Sequence, residues 1–180
     1  MKKITIYILI LLLIMSVICS CTDDSSLNNN SSINSSSNNN FMPFTELDWN
    51  SSPQDAEKHH KCQPSDTYDA NVGDKAYVYE NIEYDGKIGK ITYFFTDDGE
   101  LVATYFDFSC ADDNEVDYLY NKYTESYTKK YGDSDFNMEQ GAVCGNVWYE
   151  KNGNIGVMYS KFLKKMVRLQ YINPKFTENN

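Results

Sequence analysis

The spacing of hydrophobic residues changes along the chain, and each pattern predicts a different type of secondary structure. Residues 76–84, 87–96 and 101–108 are rich in aromatic and β-branched residues, and much of this sequence alternates with a period of two. That alternation is typical of strands. An Asp-Gly pair follows the first run and an Asp-Asp-Gly triplet follows the second, and both sequences favour tight hairpin turns. The three runs therefore predict an antiparallel meander.

A helical period replaces this alternation between residues 114 and 131. Apolar side chains recur there at steps of three and four residues, which places them on one face of a helix. They are Val116, Leu119, Tyr120, Tyr123, Tyr127 and Tyr131. Gly132 follows the last of them and is a natural helix stop. We expect this tyrosine stripe to face the core, as stripes at helical spacing usually do.

A second group of strand-like runs covers residues 143–151, 154–160 and 166–173, and a short helix precedes the first group. Ser51 or Ser52 can cap that helix. The predicted order is α-β-β-β-α-β-β-β. It indicates an α+β fold made of two tandem repeats, in which both helices pack on one face of an antiparallel sheet.

The first 40 residues have a different composition and predict a targeting signal followed by a tether. Lys2 and Lys3 precede an apolar run of about 15 residues, which matches the core of a secretory signal and is too short to span a bilayer. Residues 22–40 contain 14 Ser or Asn in 19 positions. Such a segment cannot bury enough apolar surface to fold, so we expect it to be disordered.

The end of the apolar run resembles the lipobox of bacterial lipoproteins. Ser20 is the small residue before Cys21, and aliphatic Ile18 lies two places further back. The resemblance implies cleavage after Ser20 and diacylglycerol on the Cys21 thiol, which anchors the protein to the extracytoplasmic face of a cell membrane. Cys19 fits the motif less well, because bulky Ile18 precedes it. The alternative is an ordinary signal peptide or an uncleaved anchor.

The whole chain then divides into four segments. These are a signal peptide (1–20), the lipidated cysteine with its tether (21–40), a single α+β domain (41–176) and a flexible tail (177–180). The order of elements in the domain resembles that of small envelope lipoproteins of the BamE/SmpA type and of β-lactamase inhibitory protein. The Trp49-x-Ser51 sequence before its first helix is similar to the opening of many exported domains of this sort. That resemblance implies a non-catalytic, protein-binding role, and it assigns no functional residue.

Three cysteines remain in the predicted domain, namely Cys62, Cys110 and Cys144. Outside the cytoplasm a disulfide between two of them is expected, and three pairings are open. We favour Cys110 with Cys144, because these residues flank the long helix. A zinc site with His59 and His60 is disfavoured, because the cysteines are scattered and adjacent helical histidines point apart. We predict no metal and no cofactor.

Charge and motif content narrow the function further. The chain has a formal net charge of −10, and loss of Lys2 and Lys3 with the signal peptide leaves 14 basic against 26 acidic residues, or −12. Such an acidic surface repels phosphate backbones, so we expect no binding of nucleic acid. No G-x-S-x-G, P-loop or H-E-x-x-H motif is present, so no catalytic residue is predicted.

The sequence therefore predicts a membrane-anchored, non-enzymatic lipoprotein that binds an envelope or extracellular protein. One alternative is a protein that binds a solute or glycan through exposed tyrosines, and another is a cell-wall enzyme. The candidate binding surface comprises Tyr77, Tyr79, Tyr84 and Tyr149, which are sheet aromatics.

The lipobox assignment predicts that Cys21 alone carries the anchor. A Cys21→Ala protein should incorporate no labelled palmitate and should leave the membrane fraction, whereas Cys19→Ala should behave as the wild type. Labelling of cells with palmitate, followed by fractionation, measures both properties. Continued palmitate labelling of Cys21→Ala would contradict the assignment.

Overall fold

The computed structural model describes residues 44–140, 142–162 and 164–177. The predicted signal peptide, Cys21 and the tether lie outside these residues, and so does the predicted tail beyond Thr177. Two helices are present in the described part: α1 (Pro53–His60) and α2 (Asp113–Tyr131). The strands are β1 (Asp66–Asp69), β2 (Lys75–Tyr84), β3 (Lys87–Phe95), β4 (Leu101–Ser109), β5 (Phe136–Gln140), β6 (Val143–Glu150), β7 (Gly153–Ser160) and β8 (Met166–Ile172), and a 3-10 turn covers Pro174–Phe176.

All eight strands form one antiparallel sheet in the order β1-β2-β3-β4-β8-β7-β6-β5. Each half of the chain therefore contributes a four-stranded meander, and the two meanders meet where β4 pairs with β8. The predicted mixed α+β class is confirmed, with the sheet as its dominant element. The predicted order is incomplete, because each helix is followed by four strands instead of three.

Local sequence explains where the helices begin and end. Ser52 caps α1 through a capping box, in which Asp55 N–H donates to Ser52 Oγ (3.3 Å) and Ser52 N–H donates to Asp55 Oδ2 (2.9 Å). At α2, Asp112 Oδ1 accepts from Glu115 N–H (2.9 Å), and Gly132 ends the helix with a φ of 87°. Of these signals, a serine cap at position 51 or 52 and the Gly132 stop were part of the prediction from sequence. No helix in the described residues is long and apolar enough to cross a bilayer.

The main hydrophobic core contains buried residues of both helices and alternate residues of the sheet. The helices contribute Ala56, Val116, Leu119, Tyr123 and Tyr127. α2 lies over β6, β7 and β8, and the His60 ring of α1 stacks on Tyr79 of β2 at 4.2 Å between centroids. Tyr120 and Tyr131 pack against the same core, so the tyrosine stripe faces inward as predicted. We call this side of the sheet the helix side and the opposite side the far face.

A buried series of side-chain hydrogen bonds connects α1 to the sheet beneath it. The Tyr93 hydroxyl lies 2.9 Å from Thr45 Oγ1 and 3.0 Å from His60 Nε2. A neutral His60 ring can accept a hydrogen bond from the Tyr93 hydroxyl, and in that tautomer the Tyr93 oxygen can accept from Thr45 Oγ1. Burial lowers the pKa of His60 to about 3, and neighbouring His59 adds to this effect. His60 is therefore a neutral part of the core.

This burial makes stability depend on pH. The pKa of His60 is about 3 in the folded chain, whereas the ordinary value of 6.5 applies to the unfolded chain. Between these values only the unfolded chain binds the proton, so acid favours unfolding. We expect His60 alone to lower the free energy of unfolding by about 1.4 kcal/mol per pH unit below its unfolded pKa. Its contribution is fully present above that pKa.

Urea unfolding from about pH 7.5 to about pH 5 measures the effect. His60→Phe keeps the ring stacked on Tyr79 and should lose this part of the pH dependence. His59→Phe should lose less of it, because the His59 ring is only partly buried. Identical pH dependence in the wild type and His60→Phe would show that His60 is not the titrating group.

Candidate functional site

A row of charged residues crosses the far face of the sheet. Lys90 of β3 is directly opposite Asp107 of β4, and Asp107 is directly opposite Arg168 of β8. Residues paired in this way have their side chains on the same face. Alternation along the strands places Phe106 and Leu169, their neighbours in sequence, in the core on the helix side.

Asp107 and Arg168 form a buried bidentate ion pair. Arg168 Nε donates to Asp107 Oδ1 (2.6 Å), and Arg168 Nη2 donates to Asp107 Oδ2 (2.9 Å). Asp107 is 5 % exposed and Arg168 is 8 % exposed. The guanidinium carbon also lies 4.7 Å from the centroid of the Tyr105 ring, whose face attracts cations. The orientation of the guanidinium plane is thus fixed on two sides.

Electrostatics agree with this geometry. Burial lowers the pKa of Arg168, but the charge of Asp107 and its hydrogen bonds outweigh burial, so the net pKa is raised. Burial raises the pKa of Tyr105 to about 12, against the opposing effect of Arg168. Both groups therefore keep their ordinary charge states across the physiological range.

Lys90 and part of Arg168 remain without hydrogen bonds in the described structure. Lys90 Nζ lies 3.9 Å from Asp107 Oδ2, which is an ion-pair distance but too long for a hydrogen bond. Only Nε and Nη2 of Arg168 donate to residues of the described chain, which leaves Nη1 without an acceptor there. Two cations therefore face one carboxylate, and the site has an excess of one positive charge.

A loop turns these residues into the floor of a cavity. After β1 the chain folds over the far face, where Ala70 and Val72 pack against a small second core around Phe94 and Tyr105. The cavity beneath has a volume of about 120 Å³. Its lining consists of Tyr68, Asp69, Ala70, Asn71, Val72, Lys90, Thr92, Phe94, Tyr105, Asp107 and Arg168. We call it the Arg168 cavity.

Two further lining residues, Tyr68 and Asp69, leave the net charge of the Arg168 cavity unchanged. Asp69 lies at the mouth, but its carboxylate is already paired with the ammonium of Lys75. The pKa of the Tyr68 hydroxyl is raised by burial, and it also responds to the charges of Arg168 and Asp107. Tyr68 is therefore a neutral hydroxyl close to the ion pair, and the excess positive charge is preserved.

The tyrosines predicted to form a binding surface do not lie together on an exposed surface. Tyr79 is 1 % exposed, and Tyr77 and Tyr84 pack against the core on the helix side. Only Tyr149 is half exposed, and its partner Asn154 places it on the other face of the sheet. The prediction failed because β2 is buried on both faces, with Ala76 and Val78 buried on the far face, so the sequence does not indicate which face is exposed.

The favoured disulfide between Cys110 and Cys144 is not formed. Cys62, Cys110 and Cys144 all have free thiols. Cys110 follows β4 and Cys144 lies in β6, with β8 and β7 between those strands. Three strand spacings amount to about 14 Å, whereas the Cα atoms of a disulfide lie within about 7 Å of each other. The prediction relied on the position of the two cysteines before and after the long helix, and that position does not determine the distance between them in the sheet.

The histidines next to Cys62 do not build a metal site either. His60 is directed into the core and bonded to Tyr93. Within residues 44–177, apart from the two gaps, no group of three His, Cys, Asp or Glu side chains is arranged to hold a metal ion.

Sequence reasoning did not identify the Arg168 cavity, although one signal was present. Arg168 is the only arginine in the chain, against 15 lysines, and it is the only charged residue of its strand. Asp107 is likewise a single charge between two phenylalanines. Isolated charges within buried strands need partners, and arginine is suited to bidentate pairing.

Comparison of the chain with protein-family models, with curated proteins and with solved structures finds no match.

The ion pair generates a prediction about stability. Arg168→Met leaves the Asp107 carboxylate buried beside Lys90 alone and should lower the free energy of unfolding by about 3 kcal/mol or more. The double variant Asp107→Leu/Arg168→Met should recover most of this loss, because apolar side chains of similar size can replace a buried pair. Equilibrium urea unfolding measures both. If the loss of stability in the double variant equalled the sum of the losses in Arg168→Met and Asp107→Leu, the pairing would be contradicted.

Proposed function

We propose that this protein is a lipid-anchored, extracytoplasmic binding protein without catalytic activity, and that the far face of its sheet contacts a protein of the cell envelope or its surroundings. The lipobox and the Ser/Asn-rich tether support the location. The observation that carries the choice of face is the Arg168 cavity, where buried and half-buried donors converge without acceptors from the described chain.

The chemistry of the Arg168 cavity favours recognition over proton transfer. A general base needs a carboxylate with a lone pair available to a substrate. Both oxygens of Asp107 already accept hydrogen bonds from Arg168, and the residue is only 5 % exposed, so its remaining lone pairs are poorly accessible to a substrate. The raised pKa of Arg168 keeps the guanidinium charged. Fixed donors in a small cavity are suited to holding an acceptor group of a ligand in one orientation.

The order of elements also supports a binding role. We infer that the two halves are copies of one unit, a helix followed by a meander, joined so that the helices share one side. The order predicted from the sequence, with three strands after each helix, resembles that of β-lactamase inhibitory protein, and that resemblance implies recognition of a protein. A fold with helices on one side leaves the other side of its sheet available for a partner.

Site-specific photo-crosslinking in living cells tests the choice of face. The full chain would carry a photo-reactive amino acid either at Asn71, on the exposed rim of the Arg168 cavity, or at Tyr118, which is exposed on the outer side of α2. We expect one discrete crosslinked protein from position 71 and none from position 118. Excess unlabelled protein should suppress the product.

The position-118 variant is the matched control, because it has the same anchor, tether and reactive group. Crosslinks of equal yield from both positions would indicate random collision in the envelope. Crosslinks from position 118 alone would place the contact on the helix side and would contradict the proposal.

A further inference from the structure

We propose that the Arg168 cavity binds one carboxylate group, and that this group is the side chain of an Asp or Glu on the protein partner. This inference rests on the proposed function for the source of the carboxylate. The existence of a carboxylate site, in contrast, rests on the geometry of Lys90 and Arg168 alone.

The guanidinium of Arg168 has a second edge for such a group. A guanidinium presents five N–H donors in a planar fork, and it can bind carboxylates along two of its edges. The edge formed by Nε and Nη2 is occupied by Asp107. The edge that contains Nη1 has no acceptor within the described residues, and stacking on Tyr105 prevents the plane from turning to find one.

Lys90 supplies the second point of attachment. Its side chain is 24 % exposed, and its ammonium makes only the 3.9 Å contact with Asp107. An incoming carboxylate can therefore accept from Lys90 Nζ without displacing an existing hydrogen bond. The neutral hydroxyl of Tyr68 adds a third donor at the wall of the same cavity.

The charge and the size of the Arg168 cavity favour a monoanion over a cation or a phosphate dianion. Lys90 and Arg168 carry two positive charges, Asp107 carries one negative charge, and Asp69 is neutralised by Lys75. The excess of one positive charge is balanced by one carboxylate, whereas a dianion would bring its second charge close to Asp107. A volume of about 120 Å³ is sufficient for a carboxylate with a short stem.

A single-arginine chain permits a direct test. Labelling with ¹⁵N-arginine gives guanidinium signals from Arg168 only, because the chain has no other arginine. The mature lipidated chain in detergent micelles is titrated with acetate at constant ionic strength. We expect a saturable shift of the Nη signals with acetate and none with acetamide, which has the same shape without the charge.

The Lys90→Gln variant should weaken acetate binding roughly tenfold, as expected for the loss of one charge-assisted hydrogen bond. Lys122→Gln is the matched control, since it removes the same charge from the surface of α2, and it should bind as the wild type. Overturning results are a shift without saturation, an equal response to acetamide, or equal weakening by the two variants. Any of these results would show that acetate acts through general electrostatics and does not occupy a specific site.

Crosslinking from Asn71 then tests the source of the carboxylate. Lys90→Gln should reduce the yield of the crosslinked partner, and Lys122→Gln should not. If Lys90→Gln weakens acetate binding but leaves the crosslink unchanged, the partner does not supply the carboxylate and the inference is wrong. If the wild type gives no crosslink from Asn71, the proposed function fails, and the assignment to a partner fails with it, even where acetate binds.

Discussion

The ion pair between Asp107 and Arg168 joins the two halves of this protein. It lies in the β4–β8 pairing, which is the place where one meander meets the other. A shift of this pairing by one residue would turn one of the two charges toward the hydrophobic core on the helix side and separate it from its partner. Buried charges without partners are costly, so the pair selects one register for the whole eight-stranded sheet. Its contribution is more to specificity than to net stability.

The same pair prepares the candidate site. Asp107 holds one edge of the guanidinium, and Tyr105 holds its plane, so the remaining edge is fixed before any ligand arrives. Groups fixed in this way lose little conformational freedom on binding. Lys90 lies beside the pair because the β3–β4 register places it opposite Asp107. A device that defines the register of the sheet thereby also defines a carboxylate site.

Much of the fold was predictable from local sequence, because the signals involved act over a few residues. Both helices follow from their caps and apolar period, and six strands follow from alternation bounded by turns. β1 and β5 were missed for a physical reason: they are short edge strands. β1 has two aspartates in four residues, and all four residues are exposed. Such edges are polar because a hydrophobic edge invites aggregation.

The site could not be predicted in the same way. Asp107 and Arg168 are 61 residues apart, and only the pairing of β4 with β8 brings them together. The exposed tyrosine surface was predicted wrongly for a related reason. Tyr77 and Tyr79 lie on the helix side of β2, but apolar Ala76 and Val78 on its far face are buried as well. The sequence of a strand buried on both faces does not reveal which side meets the helices.

The proposed carboxylate site requires one edge of Arg168, together with Lys90, to be open to an external acceptor. A crystal structure of the mature protein grown in sodium formate tests this most directly. We expect one formate within hydrogen-bond distance of Arg168 Nη1 and Lys90 Nζ, with Asp107 still paired to Nε and Nη2. An Arg168 Nη1 bonded instead to a residue of the same chain, with no formate in the Arg168 cavity, would contradict it.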